Sequence, residues 1–373
     1  MIFKNATVLD ENFRFVNKDL AVDDNRFTKN IDKEDTNAID CTGKIIIPGL
    51  IDIHTHGCDG FDNCDSTRES LETIAKYQAS NGITSFLSTT MTLSEEQLGN
   101  AFQNVYQYMQ HPADGAYIHG INMEGPFLNP EKKGAQNGKY IHKPDIAMFR
   151  RLNEKSGNNV KLVALAPELE GANDFIAELK NEVRISIAHT CASYEQTVTA
   201  ITAGAKHATH LFNAMPSFSH RNPSVVGAIF DSSVTPELIS DGIHVHPAMI
   251  RFAFSAFGAD RIILISDSMR ATGLQDGSYD LGGLTVYVKD KKATLADGTI
   301  AGSSTNLMEC VKKAISFGIP AEDAIKCASL NPAKAIGADR ISGSIQAGKY
   351  ADFVILDEHY TVEQVYIKGK RFK

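Results

Sequence analysis

The chain has 373 residues, of which 43% are hydrophobic, and its formal net charge is −8 at pH 7. A chain of this length can bury one large core, and its acidic balance argues against a nucleic-acid scaffold, which needs a basic surface. No apolar run approaches the roughly 20 residues of a membrane helix, and residues 1–6 lack the basic and then apolar order of a signal peptide. The six cysteines are scattered and include no Cys-x-x-Cys pair, which predicts reduced thiols and a cytoplasmic protein.

Both ends of the chain have the pattern of short β-strands. Strand-like runs at 6–9 and 19–22 are followed by turns rich in Asp and Asn, and the C-terminal runs at 351–356 and 362–367 have the same character. Neither end could bury a core alone. We therefore predict one small, discontinuous β-sandwich domain made of residues 1–47 and 343–373, beside a catalytic domain at 48–342.

Residues 45–57 join an apolar run, typical of a buried strand, to two histidines, His54 and His56. Positions i and i+2 of a strand share a face, so both imidazoles can point the same way at the C-terminal end of the strand, where barrel enzymes carry their chemistry. Two imidazoles from one strand are half of a metal site. Cys58 and Cys64 are close in sequence, but a stronger set of ligands makes loop thiols the better interpretation.

Strand and helix signals alternate from there to residue 266. Helices are predicted from a capping box at Ser66 and Glu69 to Gly82, from Ser94 to Gln110, around 144–153, between 166 and 184, and from Ser193. Seven further strands are predicted at 83–88, 117–123, 161–166, 184–188, 206–209, 237–240 and 261–266.

Eight strands that alternate with helices over about 290 residues predict an α/β fold, a TIM-like (β/α)8 barrel. An open doubly wound sheet would be expected to carry a Gly-rich loop after its first strand. That position holds His-Thr-His-Gly instead, which favours the barrel. Long loops at 126–144 and 268–300 follow the third and eighth strands, and the second has a hairpin signal at 284–288 and 293–295. Such loops usually cover a site.

Residues suited to metal and proton chemistry recur at the predicted strand ends, which converge on one mouth in a closed barrel. Singly, each has a structural interpretation as a turn acid, a core histidine or a helix cap, and only their joint pattern is hard to obtain by chance. Nitrogen and oxygen ligands with an open water position suit catalytic Zn or Fe. The candidates are His54, His56, Glu124, His189, His210 and Asp267. The other histidines, interpreted as structural or solvated, include His111, His119, His142, His207 and His246.

Seven segments carry a family resemblance: 48–57, 123–127, 189–190, 209–215, 241–245, 266–267 and 301–303. Together they resemble the N-acetylglucosamine-6-phosphate deacetylases of the amidohydrolase superfamily, and the match covers essentially the whole chain. The His-Leu-Phe-Asn-Ala-Met run at 210–215 is specific to this family, whereas His-x-His is common to most of the superfamily.

The resemblance implies that Glu124, His189 and His210 are the principal metal ligands. It implies a second metal position at His54 and His56, with Glu124 as a bridge. It leaves open whether one or two ions bind and whether the metal is Zn, which we expect first, or Fe, Mn or Co. Many superfamily members bridge two metals through a lysine on strand four, and residues 165–168 contain none, in agreement with the glutamate-bridged type.

The resemblance also implies hydrolysis of the acetamide of N-acetylglucosamine 6-phosphate to acetate and glucosamine 6-phosphate. Asp267 matches the general base and acid of the family: it takes a proton from the metal-bound water and passes it to the departing amine. No Ser or Cys nucleophile is expected. Relatives bring an arginine into the site from the partner subunit, so we expect a homodimer in which Arg221 crosses the interface. The predicted substrate contacts are Ala135, Gln136, Asn213, the backbone of Ala214, Arg221, His244, Thr305, Asn306 and Leu307.

Gln136 departs from the family, which often has histidine at this position to help polarise the acetyl carbonyl. We expect Gln136 to act by neutral hydrogen bonding. The alternatives are that the metal does more of the polarising, that His142 substitutes, or that the preferred substrate differs.

Three other functions remain to be weighed. A deacetylase for N-acetylgalactosamine 6-phosphate would use the same scaffold, since the choice of C4 epimer rests on geometry that the sequence does not reveal. A cyclic-amide hydrolase would not need the phosphate pocket implied at Asn213, Ala214 and Arg221. A metal-free structural barrel should have lost ligands, whereas every matched position is filled.

Overall fold

The computed structural model describes residues 1–30 and 38–373, so the part of the predicted turn region at 31–37 lies outside the described residues. One large sheet is a barrel of parallel strands, each beside the next in sequence. The backbone N–H of Asp267 donates to the carbonyl of His54 at 2.9 Å and connects the last strand to the first. The predicted α/β barrel is therefore confirmed. Its strands are Leu50–Thr55, Ile83–Thr90, Tyr117–Met123, Val160–Leu165, Arg184–Ile187, His207–Ala208, Thr235–Ile239 and Ile263–Ile265.

The second large sheet is built from both chain ends, as expected of the small β-domain. Its core contains Phe3, Phe353 and Tyr366, and the rings of Phe353 and Tyr366 stack with centroids 4.5 Å apart. The domain limits 1–47, 48–342 and 343–373 stay a prediction. The strands of this sheet are Ile2–Leu9, Phe15–Asp23, Arg26–Thr28, Ile39–Asp40, Ile45–Pro48, Phe353–Leu356, Val362–Ile367 and Lys370–Arg371.

The apolar run before His54 forms two strands rather than one, which corrects the sequence-based interpretation. Ile45–Pro48 pairs with the small sheet, and only Leu50–Thr55 belongs to the barrel. Gly49 lies at the break, where a Cβ atom would stand 2.2 Å from Oγ1 of Thr84. Both segments are apolar because each enters a buried sheet, so hydropathy alone could not separate them.

The helices surround the barrel, and those predicted from the sequence are present. Ser94 and Ser193 are N-caps with reciprocal capping boxes. The predicted cap at Ser66 is wrong by one residue: Thr67 accepts the N–H of Ser70, because Ser66 already ends a short 3₁₀ turn with φ of +57°. In the described part of the chain, none of the helices has both the length and the apolarity needed to span a membrane. The helices are Arg68–Ser80, Glu95–Gln110, Ile146–Lys155, Ala172–Leu179, Tyr194–Ala203, Ser224–Phe230, Pro247–Phe257, Leu307–Ser316, Ala321–Cys327 and Leu330–Ala335.

The two long loops carry local structure of their own. The loop after the third barrel strand contains 3₁₀ turns at Pro130–Lys132 and Gly138–Tyr140. The predicted hairpin after the eighth strand is present as Leu284–Lys289 and Lys292–Thr294, with Gly277–Leu281 as a third strand. A further small hairpin, Gly57–Cys58 with Phe61–Asp62, follows the first barrel strand.

Candidate metal centre and active site

A cavity of about 510 Å³ opens at the C-terminal mouth of the barrel. Segments 130–136 and 297–302 of the two long loops form part of its wall, as expected of loops that cover a site. The cavity brings together ten of the predicted site residues: His56, Glu124, Ala135, Gln136, His189, His210, Asn213, Ala214, His244 and Asp267.

Glu124, His189 and His210, here called the principal set, meet at the floor of this cavity. Oε1 of Glu124 lies 3.2 Å from Nε2 of His189 and 3.1 Å from Nε2 of His210, and the two nitrogens are 3.1 Å apart. The three side chains come from the ends of strands three, five and six. All are buried, so water competes little for these atoms.

His54, His56 and Asp267, here called the second set, lie directly beside it. Oδ1 of Asp267 is 3.5 Å from Nε2 of His54 and 3.3 Å from Nε2 of His56. The same two nitrogens lie 3.5 Å and 3.3 Å from the carboxylate oxygens of Glu124. Glu124 therefore contacts both sets, in the position of a bridge.

The histidines of the principal set are oriented by backbone carbonyls. Nδ1 of His189 lies 2.8 Å from the carbonyl oxygen of Lys132, and Nδ1 of His210 lies 3.2 Å from that of Asn213. A carbonyl oxygen only accepts, so each Nδ1 carries the hydrogen and each Nε2 presents its lone pair to the cavity. This is the tautomer that metal ligation through Nε2 requires.

Two buried carboxylates, Glu124 and Asp267, line the floor of the cavity. Burial alone would raise the pKa of Glu124, but the neighbouring imidazoles of His54, His189 and His210 hold that pKa well below its usual range. Burial likewise opposes the charge on Asp267, whose pKa is nevertheless lowered by His54 and His56. Both carboxylates are therefore ionised at neutral pH, which favours a bound cation.

The two sets fit a divalent metal ion. Nε2 of His54 is buried and, among the described residues, has no hydrogen-bond partner. An unpaired buried nitrogen is costly, and a cation between it and the carboxylates would remove that cost. Imidazole nitrogens with carboxylate oxygens are the donors that Zn and Fe take in catalytic sites.

His244 places a positive charge in the cavity wall. Its Nδ1 lies 2.7 Å from a carboxylate oxygen of Asp241, and its Nε2 lies 2.8 Å from the carbonyl oxygen of Ala301. Both neighbours accept, so both ring nitrogens donate and the ring is an imidazolium. Burial alone would lower the pKa of His244, but Asp241 raises it above its usual value.

Asn213 and Ala214 lie in a strained turn after the sixth strand. His210, Phe212 and Ala214 have φ values of +29°, +76° and +53°, a region that residues other than glycine rarely adopt. The turn is held by the N–H of Asn213, which donates to the carbonyl of His210, and by the N–H of Thr190, which donates to that of Ala214. Strain of this kind concentrates at functional sites.

Four predicted contacts do not line the cavity of the single chain. Arg221 is exposed in the loop before helix Ser224–Phe230. Thr305 lies just before helix Leu307–Ser316. The side chain of Asn306 caps that helix by accepting the N–H of Glu309 at 3.0 Å. Leu307 lies in the hydrophobic core. The side chains of Asn306 and Leu307 are thus committed to the fold.

Gln136 is hydrogen-bonded to protein groups through both the nitrogen and the oxygen of its amide. It is 3% exposed; its Nε2 donates to Oε2 of Glu124 at 2.6 Å, and its Oε1 accepts the N–H of Thr92 at 2.7 Å. Its amide is thereby hydrogen-bonded to a metal-ligand candidate and to the main chain. The alternative that His142 substitutes is wrong for this structure, because His142 is exposed and lines a different surface hollow.

Two glutamates of the site were missed by the sequence analysis. Glu237 is fully buried inside the barrel and contacts Nδ1 of His54 at 2.9 Å. Glu168 accepts hydrogen bonds from Asn129, Thr190 and the N–H of Cys191. It thereby connects the turn that contains His189 with the loop that follows strand three. A glutamate within the apolar strand Thr235–Ile239 is the signal that could have identified the first.

A model of the amidohydrolase family matches residues 45–372 of the chain. An N-acetylglucosamine-6-phosphate deacetylase of Bacillus subtilis is 38% identical over 331 residues, which cover 87% of this chain and 84% of that protein. An N-acetylgalactosamine-6-phosphate deacetylase of Escherichia coli O157:H7 is 36% identical, over 88% of this chain and 87% of its own. The crystal structure of N-acetylglucosamine-6-phosphate deacetylase from Pasteurella multocida superposes with a TM-score of 0.93 at 31% identity, over 99% of this chain and 98% of that one. The chain therefore belongs to the amidohydrolase family.

Proposed function

We propose that the protein hydrolyses the acetamide of N-acetylglucosamine 6-phosphate, releasing acetate and glucosamine 6-phosphate. The observation that carries the proposal is the convergence of the principal set, the second set and the cationic His244 on one cavity. That cavity offers metal ligands and an ionised carboxylate at one side and a cation at another. An amide with an anionic group on the same small molecule matches this distribution of charge.

The catalytic roles follow from the positions of the side chains. A divalent cation held by Glu124, His189 and His210, with or without a second ion, would lower the pKa of a water molecule and polarise the amide carbonyl. Asp267 lines the cavity as an ionised carboxylate, so it can accept a proton from that water and return it to the departing amine. Zinc is the metal that we propose first, since its usual ligands are of these types.

The sugar phosphate is proposed to bind at His244, Asn213 and Ala214, with Arg221 supplied by the partner subunit of a homodimer. The guanidinium of Arg221 is a charge-assisted donor to a phosphate, whereas His244 contributes its positive charge, because both of its N–H groups already donate to Asp241 and Ala301. The dimer is supported by an exposed aromatic surface beside Arg221: the side chains of Phe218, Phe230 and Phe252 are 43%, 50% and 39% exposed. Large exposed apolar patches mark interaction sites.

Arg221→Ala is expected to lower kcat/KM for the phosphorylated sugar by about 10–100-fold, since a charged hydrogen bond contributes about 1.5–3 kcal/mol. Turnover of unphosphorylated N-acetylglucosamine should not change. Arg14→Ala, which removes an exposed arginine just before strand Phe15–Asp23, is the matched control and should behave as wild type. Equal losses on both sugars would assign Arg221 a structural role instead.

The choice of sugar is tested by acetate release from N-acetylglucosamine 6-phosphate, its galacto epimer and unphosphorylated N-acetylglucosamine. The proposal expects the first to be the best substrate. Preference for the epimer, the substrate named for the Escherichia coli relative, would keep the mechanism and change the substrate. No turnover by the metal-loaded protein on any of the three would contradict the proposed function.

Gln136 is proposed to hold Glu124 rather than to polarise the substrate. Gln136→Leu, which keeps the volume and removes the hydrogen bonds, is expected to weaken metal binding by about 10–100-fold, as for other groups that orient metal ligands. Gln136→Ala should do the same and lower kcat/KM in parallel. Asn137→Leu, at the adjacent position, is the control. Unaltered metal affinity in both Gln136 variants would show that its bond to Glu124 has no such role.

A cytoplasmic location is proposed as well. All six cysteines are free thiols, and Cys58, Cys310 and Cys327 are fully buried. Burial raises the pKa of each of these three thiols, so they are unreactive and suit a reducing compartment.

A further inference from the structure

A chain of hydrogen-bonded polar side chains runs from the second set into the barrel interior. Glu237, on the seventh strand, lies at its centre, with Oε2 at 2.9 Å from Nδ1 of His54 and Oε1 at 3.0 Å from Nε2 of His207. Behind it, Nδ1 of His207 lies 2.8 Å from Oγ1 of Thr235, which Arg184 contacts at 2.9 Å. His54, His207 and Glu237 are each 0% exposed, so solvent does not compete for the two bonds of Glu237.

The direction of each hydrogen bond follows from the chemistry of the groups. A guanidinium only donates, so Thr235 accepts from Arg184 and has its own hydrogen to give. Two acceptors lie near Oγ1 of Thr235: Nδ1 of His207 at 2.8 Å and the carbonyl oxygen of Lys206 at 3.3 Å. The hydroxyl donates to the nearer one, Nδ1 of His207. Nε2 of His207 then carries a hydrogen and donates to Glu237. Since a carboxylate only accepts, His54 must also donate to Glu237, from Nδ1.

We propose that Glu237 is a positioning residue that, supported by His207, fixes His54 as an Nε2 ligand of the second set. With its hydrogen held at Nδ1, His54 presents the Nε2 lone pair, the buried atom without a partner, towards Glu124 and Asp267. This inference rests on the proposed metal-dependent function and adds to it the residue that prepares one ion site.

The effect of Glu237 should be selective for the second set. In the principal set, His189 and His210 are oriented by the carbonyls of Lys132 and Asn213, and neither bond involves Glu237. Glu237 accepts the backbone N–H of His210 only at 3.2 Å, in a turn that the N–H of Asn213 also holds. Loss of the carboxylate should therefore weaken one ion much more than the other.

The test is metal titration of Glu237→Gln, which keeps the size of the side chain but turns one acceptor into a donor that must face an imidazole N–H. Metal-free wild-type protein titrated with Zn²⁺ against a chromogenic chelator is expected to take up two ions. Glu237→Gln should bind its weaker ion about 10–100-fold less tightly and keep its tighter one. Asp352→Asn is the matched control: it neutralises another buried carboxylate, which binds Tyr117 and the N–H of Lys368 away from the cavity.

Two results of the titration would overturn the inference. One is a folded Glu237→Gln protein that binds both ions with wild-type affinity, and the other is wild-type protein that takes up a single ion. Acetate release measured on the same samples separates this from the proposed function, because a one-ion protein that still hydrolyses the substrate refutes only the role of Glu237.

A measurement on the wild-type protein decides the question even if Glu237→Gln does not fold. In ¹⁵N-histidine spectra of the Zn²⁺-loaded protein, with His54 assigned by its loss in His54→Asn, Nδ1 of His54 should be protonated and Nε2 should have the shift of a metal ligand. An Nδ1 without a hydrogen would overturn the inference.

Discussion

Asp267→Asn is expected to lower kcat for acetate release by about 10²–10⁴-fold, the usual contribution of a general acid and base. The amide has the shape of the carboxylate but can neither take a proton from water nor return one to the amine. The main-chain bond from Asp267 to His54, which helps to close the barrel, does not depend on the side chain. The variant should therefore fold as wild type and lose turnover.

The metal content of Asp267→Asn separates catalysis from ligation. The principal set does not include Asp267, so its ion should remain when measured by mass spectrometry of the purified protein. Asp297→Asn changes an exposed carboxylate at the rim of the same cavity, and it should retain kcat close to that of wild type. Wild-type kcat in Asp267→Asn would remove Asp267 from the mechanism.

Glu124→Gln is expected to abolish tight metal binding and, with it, turnover. The carboxylate oxygens of Glu124 lie within 3.5 Å of the Nε2 atoms of four histidines: His54, His56, His189 and His210. An amide brings no negative charge and only one accepting oxygen, so both sets lose the group that they share. We expect metal affinity to fall by at least about 10–100-fold, the loss seen when even an outer partner of a ligand is removed.

A matched control for Glu124→Gln is Glu131→Gln, which makes the same change on an exposed glutamate of the cavity wall. That variant should keep both metal content and turnover. Folding of Glu124→Gln is checked by circular dichroism, because removing one partner from a buried charged cluster destabilises a protein. A folded Glu124→Gln protein that binds metal and turns over as wild type would mean that the principal set is misidentified.

The sequence contained enough information for the fold class and for the floor of the cavity. Strand alternation is local, so His54 and His56 could be assigned to one face from their spacing alone. The barrel rule then predicts that Glu124, His189 and Asp267 approach one another, because all strand ends of a barrel share one mouth. The structure brings these five residues together.

The local sequence pattern did not predict the structure correctly where the same pattern is compatible with two different local structures. The apolar run at 45–57 enters two different sheets, and hydropathy does not show the break at Gly49. Two capping residues lie side by side at Ser66 and Thr67, and the preceding 3₁₀ turn decides between them. In both cases a neighbour in space selects between local alternatives of similar propensity.

The chain by itself therefore determined which residues are the candidates for the chemistry, since their types and their places at strand ends are local properties. Only the tertiary structure decided what each of them is bonded to. Gln136 folds back onto Glu124 from the loop that follows the same strand, and Glu237 meets His54 across the barrel, 183 positions away in the chain. Such pairs depend on which side chains face each other after closure, and no spacing along the chain encodes the direction of a hydrogen bond. The orientations of His54 and His189 are set by such long-range partners, the carboxylate of Glu237 and the carbonyl of Lys132.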